Sequence, residues 1–371
     1  MLIGVPKEIK NHEYRVGLRP ASVKELVLRG HQVVIENNAG AVVDFSNEVY
    51  IQAGASIAET AKQVYRDSEV IVKVKEPQHA ECEMLREGQL LFAYLHLAAD
   101  PKQAELLIQS GATCVAYETV TDNYGRLPLL APMSEVAGRM SVQAGIHHLE
   151  NTQGGRGLLL GGAPGVAPAK VLVIGGGVVG ENAAKIAIGL GADVTILDSS
   201  IDRLRELERL FSGRARCVYS TAASIEEYAL DSDLLIGAVL IPGGAAPKLV
   251  SRDLIAKMKK GSVMVDVAID QGGCFETSRP TTHEEPTYRV DDVIHYCVAN
   301  MPGGVARTAT MALTNVNLPF LIQLADDPIA ALRNNENIRS GLNIHKGKVT
   351  HQAVARALGY EYTDPVEALA I

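Results

Sequence analysis

Three glycines follow an apolar run at residues 171–174 and form the pattern Gly175-x-Gly177-x-x-Gly180. In such a pattern the first glycine allows a tight turn, the second lets a pyrophosphate approach the backbone, and the third lets the next helix pack closely on its strand. About 20 residues further on, the usual place for a carboxylate that binds ribose hydroxyls, Asp198 ends a second apolar run. The arrangement predicts a dinucleotide site, and the charge of Asp198 favours NAD over NADP because it repels a 2′-phosphate.

Two alternatives remain open for this segment. The glycines could form no more than a flexible turn, and Asp198 could be the N-cap of a helix over residues 201–210. Arg203 lies nearby in the sequence, and its positive charge weakens the argument against NADP.

A second group of ionisable residues stands where other apolar runs end. Lys75 ends IVKVK, His96 ends LFAYLH and Asp270 ends VMVDVAID, while Arg15 follows the first apolar run of the chain. Arginine offers a planar fork to a carboxylate, lysine polarises a carbonyl, and histidine transfers protons near neutral pH. Because open parallel sheets bind ligands beyond the carboxyl ends of their strands, these residues predict an NAD enzyme that acts on a small carboxylate. Taken singly, each could instead be a solvated strand end or a hydrogen-bonded packing residue.

The elements that carry these residues alternate between β-rich and helical segments. Strands are predicted by apolar runs at residues 2–5, 32–36, 70–75, 90–96, 113–118, 170–175, 193–198, 233–239, 262–270 and 294–300. Amphipathic stretches lie between them, and long helical patterns occupy residues 134–150 and 307–324. This alternation is typical of βαβ units and of parallel sheets covered by helices on both faces.

The chain has 371 residues, which is too long for one ordinary hydrophobic core. We therefore expect an α/β protein with two doubly wound parallel-sheet domains. Residues 1–130 plus 307–371 would form the substrate domain, and a Rossmann NAD-binding domain at residues 131–306 would be inserted in it.

Composition argues against several other classes of protein. The net charge of −8 is unlike that of a nucleic-acid-binding surface, and the five cysteines are widely spaced, which fits reduced thiols in the cytoplasm. The apolar stretch at residues 158–180 is too rich in glycine and proline for a membrane span. His283 begins HEEP, which is not a zinc-binding HExxH pattern, and neither GxSxG nor a Walker A sequence occurs. We expect no metal, no nucleic acid and no membrane partner.

Long segments of the sequence resemble the bacterial L-alanine dehydrogenase family. They include GVPKEIKNHEYRVGLRPASVKEL, IVKVKEP, FAYLHLA, LPLLAPMSEVAGRM, TQGGRGLLLGG, VDVAIDQGGCFETSRPTTHEEPTY and CVANMPGGVART. The resemblance implies a cytoplasmic homohexamer of amino-acid catabolism that interconverts L-alanine and NAD with pyruvate, ammonium and NADH. It implies that Arg15 and Lys75 bind substrate and that His96 and Asp270 are the acid/base pair, with Asp270 contributed by the cofactor domain.

The resemblance also implies the surroundings of NAD. They would comprise Ser134, Gly175, Gly177, Val178, Val179, Gly180, Asp198, Arg203, Ser220, Val239, Leu240, Ile269, Arg279, Val298, Asn300 and Met301.

Two segments depart from the family pattern. Gly17-Leu18-Arg19-Pro20 lacks the Thr or Ser expected before the proline, and Asp326-Asp327 stands where some relatives carry a histidine thought to help bind a metal. The second departure argues against a metal site with Glu118. The NAD-binding module of a proton-translocating transhydrogenase, which shares this fold, and a regulatory NAD-binding protein remain the alternative functions.

Overall fold

The structure is a computed structural model that describes residues 1–239 and 246–370. Numbered along the described chain, the strands are β1 Leu2–Val5, β2 Gln32–Glu36, β3 Ser56–Ala58, β4 Val70–Val72, β5 Leu90–Ala93, β6 Thr113–Ala116, β7 Lys170–Ile174, β8 Asp193–Asp198, β9 Ala215–Tyr219, β10 Leu234–Gly237, β11 Val263–Asp266, β12 Thr287–Val290, β13 Val293–Tyr296, β14 Leu342–His345 and β15 Lys348–Val349. The helices are α1 Pro20–Leu28, α2 Asn47–Gln52, α3 Ala61–Asp67, α4 His79–Cys82, α5 Pro101–Ser110, α6 Ala131–Leu149, α7 Val178–Gly189, α8 Ile201–Phe211, α9 Ala222–Asp231, α10 Arg252–Ile255, α11 Ala306–Asp326, α12 Pro328–Asn334, α13 Glu336–Arg339, α14 Gln352–Leu358 and α15 Pro365–Ala370.

The chain divides into two compact units. Met1–Pro132 and Val305–Ile371 form the first, and Met133–Gly304 forms the second. The second unit is therefore one continuous segment between the two parts of the first.

The first unit contains a sheet with the strand order β15-β14-β6-β5-β4-β1-β2-β3. The strands from β6 to β3 are parallel, whereas β14 runs antiparallel to both β6 and β15. Every residue of β4, β5 and β6 is buried, as expected for strands covered on both faces. Together with β1, which pairs with β4, these three strands form the middle of the sheet.

The second unit contains a sheet with the order β12-β13-β11-β10-β7-β8-β9. Among the strands that the structure describes in this unit, only the pairing of β12 with β13 is antiparallel. The chain winds outward from β7 through β8 to β9 and then returns to β10 on the other side of β7, so the strand order reverses there. Ligands of doubly wound sheets bind at such a reversal. The expected α/β class with two mainly parallel sheets is confirmed.

Several strands are shorter than the apolar runs predicted. The strands β4, β5 and β11 end at Val72, Ala93 and Asp266, and the following turns carry Lys75, His96 and Asp270. The apolar pattern continues past each strand because the turns are buried too, as at Val74, Leu95 and Ile269. Hydropathy alone does not distinguish a buried turn from a buried strand. The strands β3, β9, β12, β14 and β15 were not predicted.

Gly180 controls how closely α7 packs on the sheet. A Cβ at this position would lie 1.8 Å from the carbonyl oxygen of Gly175 and 3.1 Å from Cγ1 of Val173. Gly189, at the end of the same helix, has no such neighbour within 4 Å among the described residues. The two glycines therefore differ in what an added methyl group would meet.

We predict that Gly180→Ala lowers the free energy of unfolding by about 1–3 kcal/mol, because the methyl group must push α7 away from β7. Gly189→Ala is the matched control and should leave stability unchanged or raise it, since alanine favours helix. Denaturant unfolding of both variants measures the difference. Equal midpoints would show that the helix moves aside without cost.

Candidate active site

Four neighbouring parallel strands of the first unit end beside ionisable residues. In sheet order these strands are β6, β5, β4 and β1, and Glu118, His96, Lys75 and Arg15 follow them. Because parallel strands place their carboxyl ends at one edge of the sheet, all four residues belong to that edge. Arg15, Lys75 and His96 were predicted as chemical groups from their position after apolar runs, and Glu118 was predicted to end the strand at residues 113–118.

Arg15 is buried and is held by a carboxylate. Its Nε and Nη2 atoms donate to the two carboxylate oxygens of Glu13 over 2.7 and 2.6 Å, and its backbone N–H donates to the same side chain. Burial alone would lower the pKa of Arg15, but the hydrogen bonds and charge of Glu13 raise it. The bidentate pair fixes the plane of the guanidinium group.

Lys75 has a side chain that is 13% exposed, and its Nζ lies 3.8 Å from Oε2 of Glu76. Lys10 donates a hydrogen bond to the other oxygen of Glu76. Burial opposes ionisation of Glu76, but the charges of Lys75 and Lys10 hold the pKa of its carboxyl below the usual value. Glu76 therefore stands between two cations.

A buried charge cluster that the sequence analysis missed lies under this turn. Lys73 is fully buried, and its Nζ donates to Glu8 over 2.9 Å and to Glu81 over 2.8 Å. Glu8 also accepts the backbone N–H of Val74. Burial raises the pKa of the Glu8 carboxyl, although the charge of Lys73 opposes that shift. The sequence IVKVKE contains two lysines, and nothing in it reveals which one is enclosed.

His96 lines a cavity of about 370 Å³, and its side chain is 43% exposed. Its imidazole stacks on Tyr94, with 5.9 Å between ring centroids and 4° between ring planes. The cavity is lined by Lys10, Glu76, Pro77, Gln78, His79, His96, Ala99, Asp100 and Gln103. An accessible imidazole beside charged groups can exchange protons with a ligand or with water.

In the second unit most of the candidate cofactor residues lie at or after the carboxyl ends of six adjacent strands. They comprise Gly175, Gly177, Val178, Val179 and Gly180 after β7, Asp198 at the end of β8 and Arg203 after it, Ser220 after β9, Val239 after β10, Ile269 after β11, and Val298, Asn300 and Met301 after β13. This edge is where doubly wound sheets bind ligands.

The glycine turn after β7 is open to a ligand. Gly175 has a φ of 100°, which favours glycine, and a Cβ on it would lie 2.6 Å from the carbonyl oxygen of Ala238 after β10. Gly177 is the N-cap of α7, has no side-chain cap, and its Cβ would meet no described atom within 4 Å. The first N–H groups of α7 therefore suit a phosphate.

Asp198 accepts hydrogen bonds from two backbone N–H groups, Gly176 at 2.7 Å and Ser200 at 2.8 Å. The N-cap of α8 is Ser200, whose hydroxyl accepts from the N–H of Arg203, so the alternative of Asp198 as the N-cap is wrong. A carboxylate has about four lone-pair sites, so Asp198 retains capacity for hydroxyl donors.

Arg203 is engaged within the second unit. Its Nε donates to the carbonyl oxygen of Gly176 over 2.7 Å, and its two terminal nitrogens pair with Glu181 and Glu206. Its positive charge is therefore neutralised by two carboxylates, which limits its attraction for a 2′-phosphate.

Asp270 lies in a 3₁₀ turn, Val267–Gln271, and is exposed. The preceding carboxylate, Asp266, is completely buried and accepts the N–H groups of Ala268 and Cys274 and the hydroxyl of Ser278. Burial raises the pKa of the Asp266 carboxyl. Asp266 thus organises the turn that presents Asp270.

Two of the candidate cofactor residues do not lie at these strand ends, and a third, Leu240, lies outside the described residues. Ser134 is in the first turn of α6, and Arg279 is exposed in the segment before β12, with its guanidinium 4.2 Å above the ring of Tyr288. Within residues 1–239 and 246–370, no cluster of three or more His, Cys, Asp or Glu side chains forms a metal site, and no helix is long and apolar enough to cross a bilayer.

Two family models match the chain. The model described as "Alanine dehydrogenase/PNT, N-terminal domain" matches residues 4–137, and "Alanine dehydrogenase/PNT, C-terminal domain" matches residues 141–352. The second match extends beyond the inserted unit, because residues 305–352 fold with the first unit.

Curated relatives match from end to end. An alanine dehydrogenase of Halomonas elongata is 60% identical over 98% of both chains, and one of Bacillus subtilis is 54% identical over 100% of this chain and 98% of its own length. An alanine dehydrogenase of Mycobacterium tuberculosis is 52% identical over the whole of both chains.

Solved structures agree with these matches. The structure of an L-alanine dehydrogenase superposes with a TM-score of 0.94 at 52% identity and covers 97% of this chain and 99% of its own. A transhydrogenase from Sinorhizobium meliloti superposes with a TM-score of 0.82 at 27% identity, covering 95% and 100%. With family models over both of its parts and full-length relatives at 52–60% identity, the chain belongs to the alanine dehydrogenase/PNT family.

Proposed function

We propose that this chain catalyses the reversible, NAD-dependent oxidative deamination of L-alanine. In this reaction L-alanine, NAD⁺ and water give pyruvate, ammonium, NADH and a proton. The observation that carries the proposal is the grouping of Arg15, Lys75 and His96 after three neighbouring strands of one parallel sheet. Full-length similarity to alanine dehydrogenases supports the choice of substrate.

Arg15 and Lys75 bind the substrate in this proposal. The guanidinium of Arg15, held in plane by Glu13, interacts with the carboxylate that alanine and pyruvate share. Lys75 donates a hydrogen bond to the oxygen at C2 and stabilises negative charge that develops there. Glu76, which binds Lys10 as well, keeps the Lys75 ammonium near the strand end.

His96 and Asp270 handle protons and water. During deamination, His96 accepts a proton from the water that adds to C2 of the imine formed from alanine, and it returns a proton to the departing nitrogen. Asp270 orients water or ammonia through its carboxylate. NAD, when bound, supplies the acceptor for the hydride that leaves C2.

The turns of the second unit suit NAD. The N-terminal N–H groups of α7, without a side-chain cap, would hold the pyrophosphate. Asp198 would accept the ribose hydroxyls, and the pairing of Arg203 with Glu181 and Glu206 leaves little attraction for the phosphate of NADP. The other candidate cofactor residues would complete the site. The proposal includes the cytoplasmic homohexamer that the resemblance implies.

The alternative function is that of a module that passes hydride from NADH to a second nucleotide. This is what the name transhydrogenase means for the Sinorhizobium meliloti protein. Such a module would need the glycine turn of the second unit, but it would leave Arg15, Lys75 and His96 without a role. The lower identity to the transhydrogenase, 27% against 52% for the L-alanine dehydrogenase structure, also favours the dehydrogenase.

The purified chain is expected to form NADH from NAD⁺ and L-alanine, and to oxidise NADH only when pyruvate and ammonium are both present. Glycine, L-serine, 2-aminobutyrate and D-alanine serve as the comparison panel, and the absorbance of NADH measures every rate. Cofactor binding without turnover of any amino acid would instead support a regulatory or hydride-delivering protein.

His96→Ala should lower kcat by about 10²–10⁴ in both directions, because it removes the group that moves protons. The dissociation constant of NADH should remain unchanged, since His96 belongs to the first unit. His147→Ala is the control, because His147, in the last turn of α6, is exposed and pairs with Glu150. A loss of less than about tenfold for His96→Ala would identify His96 as a packing residue.

Asp198→Asn should narrow the preference for NADH over NADPH. It removes the charge that opposes a 2′-phosphate and weakens hydrogen bonds to ribose by about 1.5–3 kcal/mol, or roughly ten- to a hundredfold in NADH affinity. Ser200→Ala is the control, because it removes the actual N-cap of α8 and should cost about 0.5–2 kcal/mol of stability without altering the cofactor ratio. The measurement is the dissociation constant of NADH and of NADPH for each variant. An unchanged ratio of these two constants in Asp198→Asn would contradict the proposal that Asp198 binds the ribose hydroxyls.

A further inference from the structure

The backbone at His96 adopts a conformation that side-chain-bearing residues rarely adopt. Its φ is 47° and its ψ is 41°, in the left-handed region where a Cβ crowds the following carbonyl. A residue that must also supply an imidazole cannot be replaced by glycine to relieve this crowding. The turn therefore needs support from its surroundings.

The support comes from backbone hydrogen bonds to Glu118. The strand ladder ends when the N–H of Tyr94 donates to the carbonyl oxygen of Val74. The next two N–H groups donate to the Glu118 carboxylate: that of His96 to Oε1 at 2.6 Å, and that of Leu95 to both oxygens at 3.2 Å. Leu95 is buried, so its N–H would otherwise lack a partner.

Glu118 lies where it can support the turn at His96. It lies in the 3₁₀ turn Tyr117–Thr119 directly after β6, the strand beside β5, and its side chain is 15% exposed. Its Oε1 is also 3.8 Å from the ring Nδ1 of His96, which is beyond hydrogen-bond distance. The carboxylate thus acts mainly on the backbone of His96 rather than on the ring.

Tyr94 restrains the imidazole from the other direction. Its ring stacks on that of His96, and its hydroxyl donates to the carbonyl oxygen of Leu129. The carbonyl oxygen of His96 accepts the N–H of Ala99, which closes the turn. With the turn closed and the ring stacked, the position of the imidazole follows from the backbone conformation at residue 96.

We infer that Glu118 is a positioning residue for His96, because its carboxylate holds the left-handed turn that places the imidazole along the cavity wall. The inference rests on the proposed function of His96 as the proton carrier. Glu118 forms no bond to substrate in this scheme and acts through two N–H groups. The sequence does not reveal this role, since Glu118 stands there only as the last residue of the predicted strand at residues 113–118.

The test compares Glu118→Gln and Glu118→Ala with a matched control, Asp122→Ala. The amide keeps one oxygen acceptor in the same shape, whereas alanine removes both. Asp122 likewise accepts two backbone N–H groups, those of Tyr124 and Arg126, each at 2.9 Å, in a loop four residues further along the chain. The readouts are the φ of residue 96 in crystal structures of the variants, kcat and KM for pyruvate reduction, and the dissociation constant of NADH.

In Glu118→Ala the φ of residue 96 should leave the left-handed region, and kcat should fall by about ten- to a hundredfold, the effect of a displacement near 1 Å. Glu118→Gln should retain the turn and lie between wild type and Glu118→Ala in kcat. NADH affinity should stay unchanged in both, and Asp122→Ala should lose stability without losing kcat.

A positive φ at residue 96 in Glu118→Ala overturns the inference, and so does an unchanged kcat in that variant. Should Glu118→Ala fail to fold, Glu118→Gln decides: full wild-type kcat with a displaced turn would also overturn it. A wild-type protein that does not turn over alanine refutes the proposed function instead, and the crystallographic φ then still decides whether Glu118 holds the turn.

Discussion

In a turn that follows a parallel strand, the backbone N–H groups no longer pair with a neighbouring strand and need other hydrogen-bond acceptors. In the turns of both units that carry candidate site residues, carboxylate side chains are these acceptors. A buried N–H without a partner costs free energy comparable to a lost hydrogen bond. The pairings are Glu8 with Val74, Glu118 with Leu95 and His96, Asp198 with Gly176 and Ser200, and Asp266 with Ala268 and Cys274. Each of these turns carries or adjoins a residue proposed to bind ligand or to react. The hydrogen bonds that satisfy the backbone of the turn therefore also fix the position of that residue.

Enclosing these carboxylates has an electrostatic consequence. Burial raises the pKa of Glu8 and of Asp266, because the charged form loses its hydration. Around Glu8 the first unit opposes this with Lys73, whose ammonium also binds Glu81, and Asp266 is stabilised by four donors from its own loop. Removing one partner of such a buried group leaves the other buried without its hydrogen bond or counter-charge, which destabilises the fold. Near Lys75 the buried partners are opposite charges, whereas near Asp270 the buried carboxylate of Asp266 depends on neutral N–H and hydroxyl donors.

The features that the sequence predicted are those with a local signature. The glycine pattern that begins at Gly175 and the alternation of apolar runs with helical stretches depend only on neighbouring residues, and both sheets agree with them. The features that it did not predict depend on contacts between distant segments. Lys73 and Lys75 are two residues apart and chemically identical. Only their surroundings make Lys73 a buried charge in the core and Lys75 a candidate substrate-binding residue. The antiparallel strand β14 joins β6 from more than two hundred residues away, and the partners of Asp198 are backbone groups that no pattern of side chains records.

The two units differ in the residue that adopts a positive φ in the turn after a strand. After β7, glycine at position 175 adopts a positive φ at little steric cost, because glycine has no Cβ. After β5, the residue in the left-handed region is His96, whose proposed role requires an imidazole and excludes glycine, and the N–H groups of Leu95 and His96 donate to Glu118 there. Where the backbone is proposed to meet the ligand, a glycine is sufficient. Where a side chain is proposed to meet it, a residue that follows a neighbouring strand supplies the support, and on this proposal Glu118 acts with His96 although it follows β6.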